Sequence, residues 1–388
     1  MVATGVASAC PFCSAPSLTL GEQVDQADVA VVVAWDSGKP GQDDSPGTTT
    51  YRVQRVIKGP QTLSDTTITL PRYRAAKRGD LFLLMGSAAE GIQWGSPLEV
   101  SRTTIQYITQ APPRTAPRTE RLAYYLRFLE HPEKAIADDA YAEFANAPYE
   151  DIAAIRDRIP REKVRKWLQS PDTPVTRTGL YGLLLGLSGN EQDADWMRRR
   201  ILEPTQDYRL GIEGIMSGYL LLTGERGLEL LDRTKLVATT LIGPDGRPVL
   251  DKDGKPQPLP FSETYAAMQA LRFMWTYGNG KIAPQRLQRS MRLLLDRPEL
   301  TDLVIADLAR WKDWSVRERL LKIYGREPYD VPAIKRAIVR YFLVCAKDNP
   351  DKRNPPPAHV VDAQRALKEL RARDPATVRQ AERFFFVD

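Results

Sequence analysis

Apolar residues at Val304, Leu308 and Trp311, and again at Val316, Leu320 and Ile323, recur at three- and four-residue intervals on either side of a short turn. That spacing predicts two helices across residues 298–324. A third follows, with Ile334, Ile338, Tyr341 and Cys345 on one face, which places Cys345 in a core as a reduced thiol. Asp330 is expected to cap it, with Pro332 in its first turn. A lone helical pair leaves its apolar stripe uncovered, so it needs stacked neighbours. The chain supplies them: helical spacing marks a helix through Leu122, Tyr125, Leu126 and Leu129, then residues 135–145, 149–158, 162–168, 265–277, 284–295, 359–373 and 376–386. Phe384 to Phe386 read as a cap over the last pair.

The first hundred residues carry a different period. Residues 28–35 form an unbroken apolar run of strand length, and 48–58 alternate around Tyr51 and Val53. With 66–70, 81–85, 92–94 and 103–108 they predict five or six short strands closing into a small barrel. Thr19 and Glu22 stand at capping-box spacing, so a short helix over 20–27 precedes the first strand. The predicted fold class is therefore α+β multidomain: a β-barrel over residues 10–111, a proline-rich linker at 112–117, and an all-α solenoid over 118–388. Pro244-Asp245-Gly246 and Asp253-Gly254 predict a hairpin arm inserted at 241–260. Within the helical part, Gly179, Gly182 and Gly186 recur as Gly211, Gly214 and Gly218 at an offset of 32. Glycines three and four apart share a helix face, so these are packing positions where two backbones approach.

Charge alters this picture little. The first 111 residues hold 9 Lys/Arg against 10 Asp/Glu and the remainder 46 against 39, with both signs interspersed as on solvated helices. That interspersion argues against a nucleic-acid partner. No run of eighteen apolar residues is present. Ala7-Ser8-Ala9 before Cys10 has the form of a signal-peptidase site, so residues 1–9 are expected to be a signal-peptide remnant and the protein extracytoplasmic, periplasmic or secreted, with Cys10 as a possible mature terminus. Cys10-Pro-Phe-Cys13 has no following histidine and no second pair, which removes the haem and zinc readings, and no preceding strand, which favours a local disulfide or surface tether between Cys10 and Cys13 over a thioredoxin-like redox centre.

Catalytic chemistry finds no motif. The two histidines, His131 and His359, fall in expected turns. The glycine repeats lack the Gly-Lys-Ser/Thr ending of a phosphate loop, and Lys255 stands where Asp251-x-Asp253 would need a third calcium ligand. Asp302 and Asp307 lie on one helix, Asp302 being explained by the helix dipole. No catalytic, cofactor or metal residue is assigned, and a small-molecule substrate is not expected.

Two resemblances bear on function. The Cys-bearing start, Ala27-Asp28-Val29, Tyr51-Arg-Val-Gln-Arg-Val-Ile-Lys-Gly59 and Gly79-Asp-Leu-Phe-Leu-Leu84 resemble the netrin-like, tissue-inhibitor-of-metalloproteinase-like branch of the OB fold over about a quarter of the chain. That likeness implies a protease inhibitor acting through Cys10, although the barrel lacks the family's further cysteines. Asp313-x-Ser-Val-Arg317 with Leu320 and Leu321 resembles a HEAT repeat, which implies that Asp313 and Arg317 are structural residues pairing along a stack. Trp314, at the turn, is expected either to staple the next helix or to contact a protein partner. The expected function is a non-catalytic protein-interaction scaffold working through the helical-repeat surface. The alternatives are the inhibitor and an enzyme with a carboxylate site in the solenoid groove.

Overall fold

The computed structural model describes residues 10–13, 18–42, 46–88, 91–352 and 355–383. The expected signal remnant at 1–9 and the aromatic cap at Phe384 to Phe386 lie outside them. Two compact units divide the chain, Met1–Arg177 and Thr178–Asp388.

In the first unit, α1 (Leu20–Gln26) opens with the expected capping box: Thr19 Oγ1 accepts from the Glu22 amide and Glu22 Oε2 accepts from the Thr19 amide. The nearly closed antiparallel sheet follows, with β1 (Val29–Lys39), β2 (Thr48–Lys58), β3 (Thr67–Leu70), β4 (Leu81–Ser87), β5 (Gln93–Trp94) and β6 (Leu98–Glu99). Strand order is β3-β2-β1-β4-β5, with β6 also on β4. β1 is central, which is why residues Val29 to Val33 are buried on both faces and read as a continuous apolar run. Val31, Val33, Tyr51, Val53, Phe82 and Leu84 fill one face. Register breaks between β1 and β2 bend the long pair, as bulges do.

The sixth expected strand, 103–108, is instead helix α2 (Arg102–Gln110). Ser101 Oγ accepts from the Thr104 amide and caps it, and Thr104 and Tyr107 are buried at three-residue spacing. The alternation in Thr103-Thr-Ile-Gln-Tyr-Ile108 fits both periods; the cap decides. Helices α3 (Arg118–Tyr125), α4 (Lys134–Ala145), α5 (Tyr149–Ala154) and α6 (Arg161–Gln169) complete the unit. The first unit thus extends through four helices expected in the solenoid, and the 112–117 segment lies inside it. Arg114 in that segment pairs with Glu22 at 3.1 Å and approaches Glu143 at 3.5 Å.

The second unit holds α7 (Thr178–Ser188), α8 (Glu191–Ile201), α9 (Ile212–Thr223), α10 (Glu225–Leu231), α11 (Phe261–Tyr277), α12 (Pro284–Leu293), α13 (Thr301–Arg310), α14 (Arg317–Ile323), α15 (Pro332–Lys347), α16 (Ala358–Arg373) and α17 (Pro375–Arg383). Alternate helices stack side by side, α7 on α9, α9 on α11, α13 on α15 and α15 on α17, with their partners alongside, as in an α-solenoid. The glycine repeats are the α7–α9 contact: a Cβ on Gly182 would stand 2.6 Å from the Ile215 amide nitrogen, and Gly186 faces Gly218. The 241–260 arm is antiparallel, bridged at Thr240 to Pro258, Ile242 to Pro248 and Leu250 to Pro256.

Candidate functional site

The residues singled out from sequence are placed as follows. Cys10 and Cys13 form a disulfide, and Cys10 is 6% exposed with its amide donating to the Ala145 carbonyl at 3.1 Å. The pair is docked at the end of α4. Cys345 is a buried free thiol whose Sγ donates to the His359 carbonyl, and burial raises its pKa to about 12.

Asp313 and Arg317 each reach along the stack. Arg292 Nε of α12 lies 3.2 Å from Asp313 Oδ2, near enough for charge pairing though off the line of a hydrogen bond. Arg317 Nη2 donates to Asp362 of α16 at 3.2 Å. Asp313 also caps the turn after it, accepting from the Ser315 amide and hydroxyl. Asp330, expected to cap α15, instead pairs with Lys335 at 2.9 Å, and Val331 occupies the cap position. Trp314 is 9% exposed: its Nε1 donates to Asp348 Oδ2 at 2.7 Å, its ring stacks on His359, and it meets Tyr341 edge-on.

Buried carboxylates, which sequence could not bring together, are tied into pairs. Burial pushes Asp139 up to about 6 while its oxygens accept from Tyr107 Oη and the Leu20 amide. One turn on, Glu143 accepts from Thr19 and Arg121. The two carboxylates of α4 thereby hold α1, α2 and α3. In the second unit, Glu263 and Lys235 are each 2% exposed. Burial pushes Glu263 up, but Arg209, bonded to both its oxygens, and Lys235 Nζ at 2.6 Å bring it below the usual carboxylate range. Burial lowers Lys235, which sits on a turn of π-helix at Asp232–Leu236. Asp307, raised by burial, holds Arg272 at 2.6 Å and Arg310 at 2.8 Å. Among the described residues no group of three His, Cys, Asp or Glu side chains could hold a metal.

Three cavities differ in character. One of about 390 Å³ between α8, α9 and α10 sets Glu191, Asp195 and Glu229 against Arg198, Arg226 and Arg233, with Arg226 paired to Glu191; it neutralises itself. One of about 400 Å³ in the first unit lies between α1, β2 and the proline segment. The third, about 510 Å³, is an open groove between α13 and α15. Ala306, Ala309, Ala337 and Val344 line its apolar part, with Leu303 at its edge, and the cationic side chains along it are Arg310, Arg336 and Arg340. Among the described residues Arg336 and Arg340 have no hydrogen-bond or ion-pair partner, and Arg340 is exposed. Small side chains on both helices leave the space, while the faces of α13 and α15 toward the core carry Val304, Leu308, Ile334 and Ile338. The sequence pattern identified those core faces; the groove was missed because alanine and arginine on the stripe flanking them read as solvated surface.

Comparison with protein-family models, with curated proteins and with solved structures finds no match.

Proposed function

We propose that the protein is a non-catalytic binding module that engages a protein partner through its helical-repeat surface, at the groove between α13 and α15. The observation that carries this reading is the open apolar trough beside Arg336 and Arg340, which have no hydrogen-bond or ion-pair partner among the described residues. An arginine held beside an uncovered apolar surface is a common element of protein-recognition sites. The buried charges support it indirectly, since Asp139, Glu143, Glu263 and Asp307 are each occupied in joining helices. The HEAT-like reading of Asp313 and Arg317 is supported by their charge contacts, Asp313 with Arg292 and Arg317 with Asp362, to the preceding and following helical pairs. The Cys10–Cys13 disulfide supports a working place in an oxidising, extracytoplasmic compartment.

The test fills the groove. Ala337→Trp places an indole in the trough, and the proteins retained by the wild-type chain and by the variant are compared alongside their melting curves. A partner kept by the wild type and lost by an equally stable variant supports the reading; an unchanged set of retained proteins refutes it.

A further inference from the structure

Resting on that binding reading, we infer that the occupant of the α13–α15 groove is an amphipathic helix of a partner protein, bearing carboxylates one turn apart beside its apolar stripe. The groove runs along two packed helices, and its lining on α15 extends from Ala333 to Val344. At 1.5 Å per residue that is a trough about 16 Å long, roughly three turns of a third helix. Its alanines on both walls allow the close axial approach that helix packing requires. An apolar trough of this length suits the helix-in-groove mode, in which residues at i, i+3, i+4 and i+7 anchor the partner.

Charge then selects among such helices. Arg336 and Arg340 stand one turn apart, about 6 Å along the axis, so carboxylates spaced i and i+4 on the incoming helix meet both guanidiniums. Arg310, on the opposite helix, already donates to Asp307, and its side chain is 69% exposed. Asp302, in the first turn of α13, repels a carboxylate beside it, which gives the bound helix a preferred direction. A phosphodiester chain would satisfy the arginines yet leave the alanine-lined trough uncovered.

The probe is a fluorescein-labelled synthetic helix with leucine at i, i+3, i+4 and i+7 and flanking glutamates at i and i+4, together with a twin carrying lysine in their place. Binding to the full chain is read by fluorescence anisotropy at about 50 mM salt, where exposed charges are least screened. The acidic helix is expected to bind roughly tenfold tighter than its twin, with a preference that shrinks as salt rises. That preference is expected to vanish in Arg336→Glu/Arg340→Glu, and to fall part-way in Arg336→Gln/Arg340→Gln, which guards against a folding defect of the double reversal. Equal affinity for the two helices, or acidic-helix binding untouched by either double variant, overturns the inference. So does competition by a short single-stranded RNA as strong as that of the unlabelled peptide, or a concentration-dependent dimer lost in the double variant, which puts a second copy in the groove. Failure here beside a positive Ala337→Trp result removes the acidic helix and leaves the binding reading; failure of both removes the reading.

Discussion

Gly182→Ala adds one methyl group where α7 and α9 cross, and its effect follows from two opposed terms. In a helix interior alanine is favoured over glycine by about 1 kcal/mol. Here, however, the new Cβ would stand 2.6 Å from the Ile215 nitrogen, 2.7 Å from the Gly214 carbonyl carbon and 2.9 Å from its oxygen. These are backbone atoms, which no rotamer change moves aside. Reaching an ordinary contact of about 3.5–4.0 Å means parting the two helices by about 1 Å along a contact that is glycine on both sides. Overpacking of this kind costs about 1–3 kcal/mol, and backbone against backbone belongs at the upper end. The net expectation is a loss of about 2 kcal/mol, a fall in Tm of about 4–8 °C for a unit of this size. Circular-dichroism melts and urea titrations measure it. Gly21→Ala is the comparison, since its Cβ meets nothing nearer than 3.5 Å and the substitution is expected to be neutral or to stabilise by about 0.5–1 kcal/mol. If Gly182→Ala behaves as Gly21→Ala does, the close crossing of α7 and α9 is wrong.

Three further outcomes are expected. Asp139 has a folded pKa of about 6 against an ordinary 3.8, so the folded state binds its proton more readily than the unfolded chain and stability falls as pH rises from about 4 to 6, by up to about 3 kcal/mol; Asp139→Asn should flatten that slope in denaturant titrations, and an unchanged slope would show that the burial of Asp139 is not its source. Trp314→Ala should lower stability by about 3–5 kcal/mol by opening a cavity beside Tyr341 and His359 and removing one of the hydrogen bonds to Asp348, and a variant that melts as the wild type does would place the ring on the surface. Lys235→Met should cost about 3 kcal/mol, because Glu263 keeps Arg209 but loses its second cation while buried, and a stabilised variant would show that desolvation of Lys235 outweighs the pair.

Local signals were legible in the sequence wherever one stretch of chain satisfies itself. Thr19 and Glu22 close their own capping box, the run through Val33 needs only its length, and the glycine spacing states that something must come close without naming what. Helix α2 was misread because six residues fit both periods and the deciding bond, Ser101 to Thr104, lies at its edge. The boundary near residue 111 followed from proline content, whereas Arg114 inside that segment bonds to Glu22, 92 residues earlier in the same unit. The knots at Asp139 and Glu263 join residues tens to more than a hundred positions apart, and no spacing rule spans that. The groove was hidden for a related reason. Ala306 and Ala337 acquire meaning only once α13 and α15 are known to lie side by side.

The central claim, that the α13–α15 groove is the working surface, is tested most directly by placing a photo-crosslinking benzoylphenylalanine at Ala306, Ala337 or Val344 in turn, with Arg365 on the exposed side of α16 as the reference position. Irradiation of the full chain in extract of its source cells should give one and the same adduct at the three groove positions and none at 365, and the adduct should disappear in the Arg336→Glu/Arg340→Glu background. Adducts of equal yield at all four positions, or adducts at 365 alone, would contradict the account.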